Sequence, residues 1–205
     1  DHMWPAFDEA MSPWFESKSK TEKKYGFRFG GHYQVLWQGA NRTIKGPDYA
    51  SGGLLRMLGT WTPSGPDRPR APRLSFTVDH RHKFSAVPPS GMSGQIGYVG
   101  STSAIMGDTG WDLVNLFWNH PFEFCDGRCG FAAGRLDPNE FFYVYSFSNP
   151  WTGFMNNEVV NVTALPQPQS SWGALAGNYF TDTIYGIAGV NDANGTADDS
   201  LEWFK

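Results

Sequence analysis

Hydrophobic and polar residues alternate along the segment from Tyr25 to Gly39, YGFRFGGHYQVLWQG. A period of two residues is that of a β-strand, whose successive side chains point to opposite sides of the sheet. One side of this strand is almost entirely aromatic or aliphatic, and the other carries a guanidinium, an imidazole and two amides. In a soluble sandwich the apolar side is the core, whereas in a membrane barrel it meets lipid and the polar side lines the lumen. This strand alone leaves both arrangements open.

Similar segments of about ten residues follow, separated by clusters of Gly, Pro, Asp and Asn. The predicted strands are 25–39, 52–63, 73–84, 93–101, 111–122, 129–137, 171–180 and 183–192, and the final residues, SLEWFK, have the pattern of a further strand. This rhythm predicts an all-β, antiparallel chain with eight strands and the start of a ninth.

The first 24 residues differ in kind from the rest. Trp4, Phe7, Met11, Trp14 and Phe15 have helical spacing and precede a charged run. We expect residues 1–24 to form a short amphipathic helical segment that leads into the strand region, 25–205.

Aromatic residues favour one arrangement of the two faces. The chain has 9 Trp, 8 Tyr and 16 Phe, and many lie near the ends of predicted strands, as at Trp37, Trp61, Trp111 and Tyr179. Membrane barrels place such girdles at the lipid headgroups, whereas a sandwich core favours aliphatic residues within its strands. The aromatic pattern therefore predicts a membrane β-barrel with the charged face in a water-filled lumen.

Charge and hydropathy argue against two other classes. The net charge of -4 is mild and does not favour non-specific binding to nucleic acid. Mean hydropathy is -0.42, and no run of about 18 apolar residues exists to form a membrane helix.

The longest connection between predicted strands is the aromatic-rich segment 138–170. Loops of this length are usually functional when they are ordered. We expect this loop to fold inward and narrow the channel, with a packed surface Ω-loop as the alternative.

The motifs YGFRFGGHYQVLWQGA, GGLLRMLGTWT, SFTVDHRHKF and AAGRLDPNEFFYVYSFSNPWTGFMNN occur in this order along the chain. In these motifs and in their order the chain resembles the carbohydrate-selective porins of the OprB type, and the resemblance covers nearly all of residues 25–195. The block GRLDPNEFF…NPWTGF is the most specific part of the resemblance. The resemblance implies an outer-membrane β-barrel of a Gram-negative bacterium that lets sugars pass by passive diffusion.

The chain departs from that family pattern in length, since family members are roughly twice as long and have more strands. A barrel of about eight strands has an interior filled by its own side chains, too narrow for a sugar. We therefore expect a partial barrel, which either continues in a missing second half or closes by homo-oligomerisation. A small, closed and plugged barrel is the alternative.

The two cysteines also depart from the pattern. Cys125 and Cys129 flank Asp126, Gly127 and Arg128 in FEFCDGRCGF, a spacing that fits a hairpin turn. A disulfide between them would suit an oxidising compartment such as the periplasm. A reduced pair and a two-thiol metal site are the alternatives.

A diffusion channel offers weak, repeated binding rather than a catalytic group. For a sugar this means aromatic rings that stack on it and polar groups that replace water at its hydroxyls. The candidate pore-lining residues are Arg28, His32, Gln34, Gln38, Arg56, Arg73, Asp79, Arg81, Arg135, Asp137, Glu140, Tyr143, Tyr145 and Trp151. Arginines outnumber carboxylates among them, which suggests mild selectivity for neutral or anionic solutes. We expect no enzymatic activity, no cofactor and no metal, with sugars and outer-membrane lipid as the partners.

Other chemistry is less favoured by the sequence. Asp137 and Glu140 could be the two carboxyl groups of a glycosidase, but nothing in the sequence fixes the distance between them that this reaction requires. His80 and His82 share one strand face at a spacing that suits a metal, yet interfacial histidines are the favoured interpretation. Two other functions remain open: a soluble, secreted β-sandwich that binds carbohydrate, and a structural outer-membrane barrel with a closed lumen.

Overall fold

The computed structural model describes residues 5–66, 68, 70–142, 149–160, 169–193 and 195. Its helices are α1 (Pro5–Tyr25), α2 (Met92–Ile96), α3 (Asn139–Phe142) and α4 (Asn157–Val160), with short 3-10 turns at Pro89–Gly91 and Glu123–Cys125. Its strands are β1 (Phe27–Gly39), β2 (Tyr49–Trp61), β3 (Arg73–Lys83), β4 (Gly110–Pro121), β5 (Cys129–Leu136), β6 (Ser171–Tyr179) and β7 (Tyr185–Asn191). None of the described helices is both long enough and apolar enough to cross a membrane.

The seven strands form one sheet in which each strand pairs antiparallel with the next along the chain. Within the described part of the chain, β1 and β7 are the edges of this sheet and do not pair with each other. This confirms the predicted antiparallel all-β fold with an N-terminal helix, here as an open sheet.

Burial on the two faces is the reverse of that in a soluble sheet. On one face Tyr33, Val35 and Trp37 are 50%, 61% and 67% exposed. On the other face Asp79 is 0% and Arg56 9% exposed. We call these the apolar face and the polar face. Described residues of the connections contact the polar face, since Trp151 lies over Arg56 and Thr102 bonds Gln38.

The two ends of the sheet differ in the total length of their connections. Residues 40–48, 84–109 and 137–170 connect strands at one end, which we call the long-connection end. Residues 62–72, 122–128 and 180–184 connect strands at the opposite, short-connection end.

Helix α1 joins the sheet at the short-connection end. The rings of Trp14 and Phe29 pack edge to face, with centroids 5.9 Å apart. Lys18 Nζ lies 5.1 Å from the centre of the Phe29 ring. Gly26 makes the turn into β1 with φ +68°, where a Cβ atom would lie 2.1 Å from the carbonyl oxygen of Thr62. Only glycine fits this turn without displacing the backbone.

The prediction of a strand at 93–101 is wrong. Its first residues belong to α2, which ends at Gly97 in the left-handed conformation, φ +71°. Glycine commonly ends helices in this way. The described sheet therefore has seven strands, and the predicted start of a last strand at 200–205 lies outside the described residues.

Candidate functional site

The centre of the polar face is a buried ion network on β2 and β3. Cross-strand pairing sets Arg56 opposite Asp79. Arg56 Nε lies 2.7 Å from Asp79 Oδ1 and its Nη2 lies 2.8 Å from Oδ2, a bidentate pair. Arg81 Nη2 donates to Asp79 Oδ2 at 2.6 Å. A carboxylate that accepts three charge-assisted hydrogen bonds compensates part of the cost of its burial.

The network continues onto β4. Arg81 Nη1 donates to Asp112 Oδ2, which also accepts the hydroxyl of Thr109 at 2.6 Å. A register shift at Thr77/Val78 in the β3–β4 ladder lets two residues three positions apart, Asp112 and Asn115, both lie opposite polar-face residues of β3. A bulge with one extra residue re-aims side chains in this way.

The start of the long loop is hydrogen-bonded to this network. Asn115 Nδ2 donates to Glu140 Oε2 at 2.9 Å, and Arg56 Nη1 lies 3.5 Å from Glu140 Oε1. The Asp137 backbone N–H donates to Asn115 Oδ1 at 2.9 Å. Asn139 donates from both its backbone N–H and its side chain to Asp137 Oδ1, each at 2.9 Å.

Two carboxyl groups of this loop have raised pKa values. Burial raises the pKa of Glu140, and the nearby Asp137 raises it further, against the opposing effect of Arg56 and the hydrogen bond from Asn115. Burial also raises the pKa of Asp137, against its hydrogen bonds from Asn139 and the charge of Arg56. Protonation of these groups would reduce the negative charge beside Arg56.

Trp151, in the far part of the long loop, packs against the ion network at Arg56. Its ring covers the Arg56 guanidinium, with Cζ 3.8 Å from the ring centre, and its edge meets His32 at a centroid distance of 5.3 Å. Gln34 Nε2 donates to the Trp151 carbonyl oxygen at 3.3 Å. Among the described residues, His32 Nε2 and Gln34 Oε1 are buried without a hydrogen-bond partner. They are therefore free to bond a polar solute or water at this position.

A cavity of about 750 Å³ opens on the polar face toward the short-connection end. Its lining includes Arg28, Arg73, Asn119 and Tyr179, and Glu140 reaches it from the loop. Its volume lies within the range of small-molecule sites, about 300–1,000 Å³. A mixed lining of guanidinium, amide and phenol groups can bond the hydroxyls of a polar solute.

The structure brings most of the candidate residues to one face but separates them along it. His32, Gln34, Arg56, Asp79, Arg81, Asp137, Glu140 and Trp151 form the network and its immediate surroundings. Gln38 bonds the backbone and hydroxyl of Thr102 in a neighbouring connection. Arg28 pairs with Glu22 of α1. Tyr143 and Tyr145 lie outside the described residues.

Arg135 has a different environment from the other candidates. It is 1% exposed, and its Nε donates to the Leu113 carbonyl oxygen at 2.7 Å. Its side chain thus ties β5 to β4 and does not line the open cavity. The assignment of pore-lining roles to these residues stays a prediction.

Asp112 and Asn115 were not among the candidates predicted from sequence. Strict alternation puts residues three apart on opposite faces, so the strand pattern cannot select both. The sequence feature that could have identified them is the presence of two polar residues, three positions apart, in the apolar run WDLVNLF, which is consistent with a bulge.

Cys125 and Cys129 form a disulfide in the turn between β4 and β5, with Cα atoms 5.9 Å apart. The Phe122 N–H donates to the Cys129 carbonyl oxygen at 2.9 Å and closes the same turn. Asp126 and Gly127 have φ values of +56° and +70°, so the turn uses two left-handed residues.

Comparisons with known proteins support the fold. No family model matches the chain, and no curated protein matches it. A solved structure that it resembles is the high-pH structure of Pseudomonas putida OprB, with a TM-score of 0.70 at 14% identity over 94% of this chain. The match covers 46% of the OprB chain, so this chain spans about half the length of that neighbour. The topology and this likeness together define a porin-like sheet.

Proposed function

We propose that this chain forms part of the wall and constriction of an outer-membrane porin, through which sugars diffuse passively. The observation that carries the proposal is the reversed burial of the two faces. Tyr33, Val35 and Trp37 are exposed, whereas Asp79 and Arg56 are protected beneath a loop. A bilayer is the solvent in which this distribution is stable, because it covers the apolar face.

The proposed site for sugar is the polar face around Trp151. The guanidinium of Arg56 and the unpartnered atoms of His32 and Gln34 offer polar contacts beside an aromatic ring. The cavity below gives room for a sugar between this site and the short-connection end. Weak binding at such a site supports diffusion, because the solute must also leave.

Single-channel conductance of the refolded chain in a planar bilayer tests the proposal, with graded concentrations of mono- and disaccharides. We expect stable open steps that sugars block in a concentration-dependent manner. Trp151→Ala should weaken the block, whereas Trp37→Ala, a matched change on the apolar face, should leave it unchanged.

Three other results would each contradict the proposal in a different way. Open steps that no sugar blocks would contradict selectivity for sugars and leave a general pore. A membrane-inserted, folded protein with no conductance would favour a structural barrel with a closed lumen. A chain that stays folded and soluble without detergent would instead favour a carbohydrate-binding sandwich.

A further inference from the structure

Three polar side chains are in contact on the apolar face near the long-connection end. The Tyr33 hydroxyl lies 2.7 Å from His82 Nε2. His82 Nδ1 in turn lies 3.2 Å from His80 Nδ1. This chain of polar groups crosses from β1 to β3 on a face that is otherwise largely aromatic and aliphatic.

Gly53 of β2 makes this contact possible. It pairs with Val35 on one side and with His82 on the other, so it lies beneath the bond between Tyr33 and His82. A Cβ atom at Gly53 would lie 2.2 Å from the Tyr33 hydroxyl oxygen and 2.8 Å from His82 Nε2. The hydrogen bond therefore occupies the space that any other residue's side chain would fill.

We propose that His80 and His82 bind a divalent transition-metal ion through their Nδ1 atoms. The two Nδ1 atoms are 3.2 Å apart. With metal–nitrogen bonds of about 2.05 Å, this separation gives a nitrogen–metal–nitrogen angle of about 100°. This angle lies between tetragonal and tetrahedral coordination, which Cu²⁺ and Zn²⁺ adopt with imidazole ligands.

Tyr33 orients the site as a positioning residue. Metal-binding histidines usually bond their second ring nitrogen to another group, which fixes the tautomer. In the empty pair, one Nδ1 carries the proton that joins the two rings. On metal binding that proton moves to the Nε2 of the same ring, and the Nε2–H of His82 donates to the Tyr33 hydroxyl oxygen.

The surroundings support a site with two protein ligands. The Trp111 ring lies 4.6 Å from His80 and the Phe84 ring 5.0 Å from His82, centroid to centroid, and both restrict the imidazoles. Across the described residues no group of three or more His, Cys, Asp or Glu side chains could hold a metal. Copper, which binds imidazole more tightly than zinc does, is therefore the best probe of a site with two histidine ligands.

Copper titration of the protein refolded in detergent tests the proposal, followed by calorimetry and by the nitrogen couplings in the electron paramagnetic resonance spectrum. Every sample carries His2→Gln, so that the amino-terminal histidine does not compete. We expect one equivalent of bound Cu²⁺ with two imidazole nitrogens. His80→Gln and His82→Gln should each abolish this site.

Two further variants test the supporting residues. Tyr33→Phe should weaken binding by about 10- to 100-fold, the usual effect of removing an outer partner of a ligand. Gly53→Ala should also weaken it, by displacing the phenol. His120→Gln is the matched control, since His120 stacks on Phe131 at the opposite end of the same face and should not affect binding.

Equal Cu²⁺ affinity in His80→Gln, His82→Gln and the parent protein would overturn the proposal. Binding that only His120→Gln abolishes would do the same. The result does not depend on channel activity, because metal binding is measured on the folded protein whether or not it conducts.

Discussion

Asp79 is the residue on which the buried network depends most. It is fully buried and accepts hydrogen bonds from both Arg56 and Arg81. If Asp79 is removed, Arg81 keeps its ion pair with Asp112, whereas the nearest remaining carboxylate for Arg56 is Glu140, at 3.5 Å. Asp79→Ala should therefore lower the free energy of unfolding by about 3–5 kcal/mol, as expected when a buried charge loses its partner. Urea titration of the refolded protein in detergent measures this change.

A surface pair provides the control for this prediction. Lys83 and Asp108 form an ion pair at 2.7 Å with both side chains partly exposed. Asp108→Ala should change the free energy of unfolding much less than Asp79→Ala does, since water solvates the remaining charge. Equal losses in the two variants would show that the burial of Asp79 carries no special cost.

Glu140 predicts a pH dependence at the residue scale. Its raised pKa means that the folded protein favours the protonated form. This contribution to stability is complete below the ordinary glutamate pKa of about 4.3 and is lost as the pH rises through the raised value. Glu140→Gln cannot ionise, so its stability relative to the parent should increase from pH 4 to pH 8. Urea titrations across this range measure the difference, and parallel curves would contradict the prediction.

The sequence predicted which residues share a face better than it predicted their partners. Period-two alternation put Arg56, Asp79 and Arg81 on one side, because side-chain direction in a strand is a local property. Their ion pairs depend on the register between β2 and β3, which is a property of two strands together. The bulge that aims Asp112 and Asn115 at the same face is likewise set by pairing.

At the scale of elements, the disulfide predicts a local effect on the β4–β5 hairpin. Cys125 and Cys129 are four residues apart, so their bond closes a very short loop. In the chain-entropy model a loop of this size contributes about 2 kcal/mol. The double variant with serine at both positions should keep its sheet, by circular dichroism, and lose about that much stability. The parent protein in a reducing agent should match the variant, and a loss of sheet in either would contradict a merely local role.

The elements themselves were predicted where a long alternating run exists. β1 and β3 follow from runs in which polar and apolar positions alternate for more than ten residues. The segment 93–101 has a shorter apolar run, in which three glycines and two serines leave little preference for a strand. Local hydrogen bonds, such as that from the Tyr98 N–H to the Ser93 carbonyl oxygen, form a helical turn there instead.

At the scale of the whole molecule, the stability of the sheet in a bilayer depends on what pairs with its two edge strands. In the described structure β1 and β7 each pair with one strand, so the other side of each has no strand partner among the described residues. In a bilayer each unpaired group costs several kcal/mol, which is why membrane sheets close into barrels. Residues outside the described ranges, further strands or a second copy must supply the missing partners.

The assembly of the refolded chain distinguishes these ways of pairing the edges. If β1 and β7 pair between copies, the protein in detergent should sediment as a dimer or larger oligomer, and amides of both edge strands should be protected from hydrogen exchange. Val35→Pro, within β1, should disrupt the oligomer, because proline lacks a backbone donor and disfavours further pairing at an edge strand. Val190→Ala, a conservative change within the other edge strand, should leave the oligomer intact. A monomer with protected edges would show that the chain closes its own sheet, whereas a monomer with fast exchange at both edges would show that closure needs strands from elsewhere.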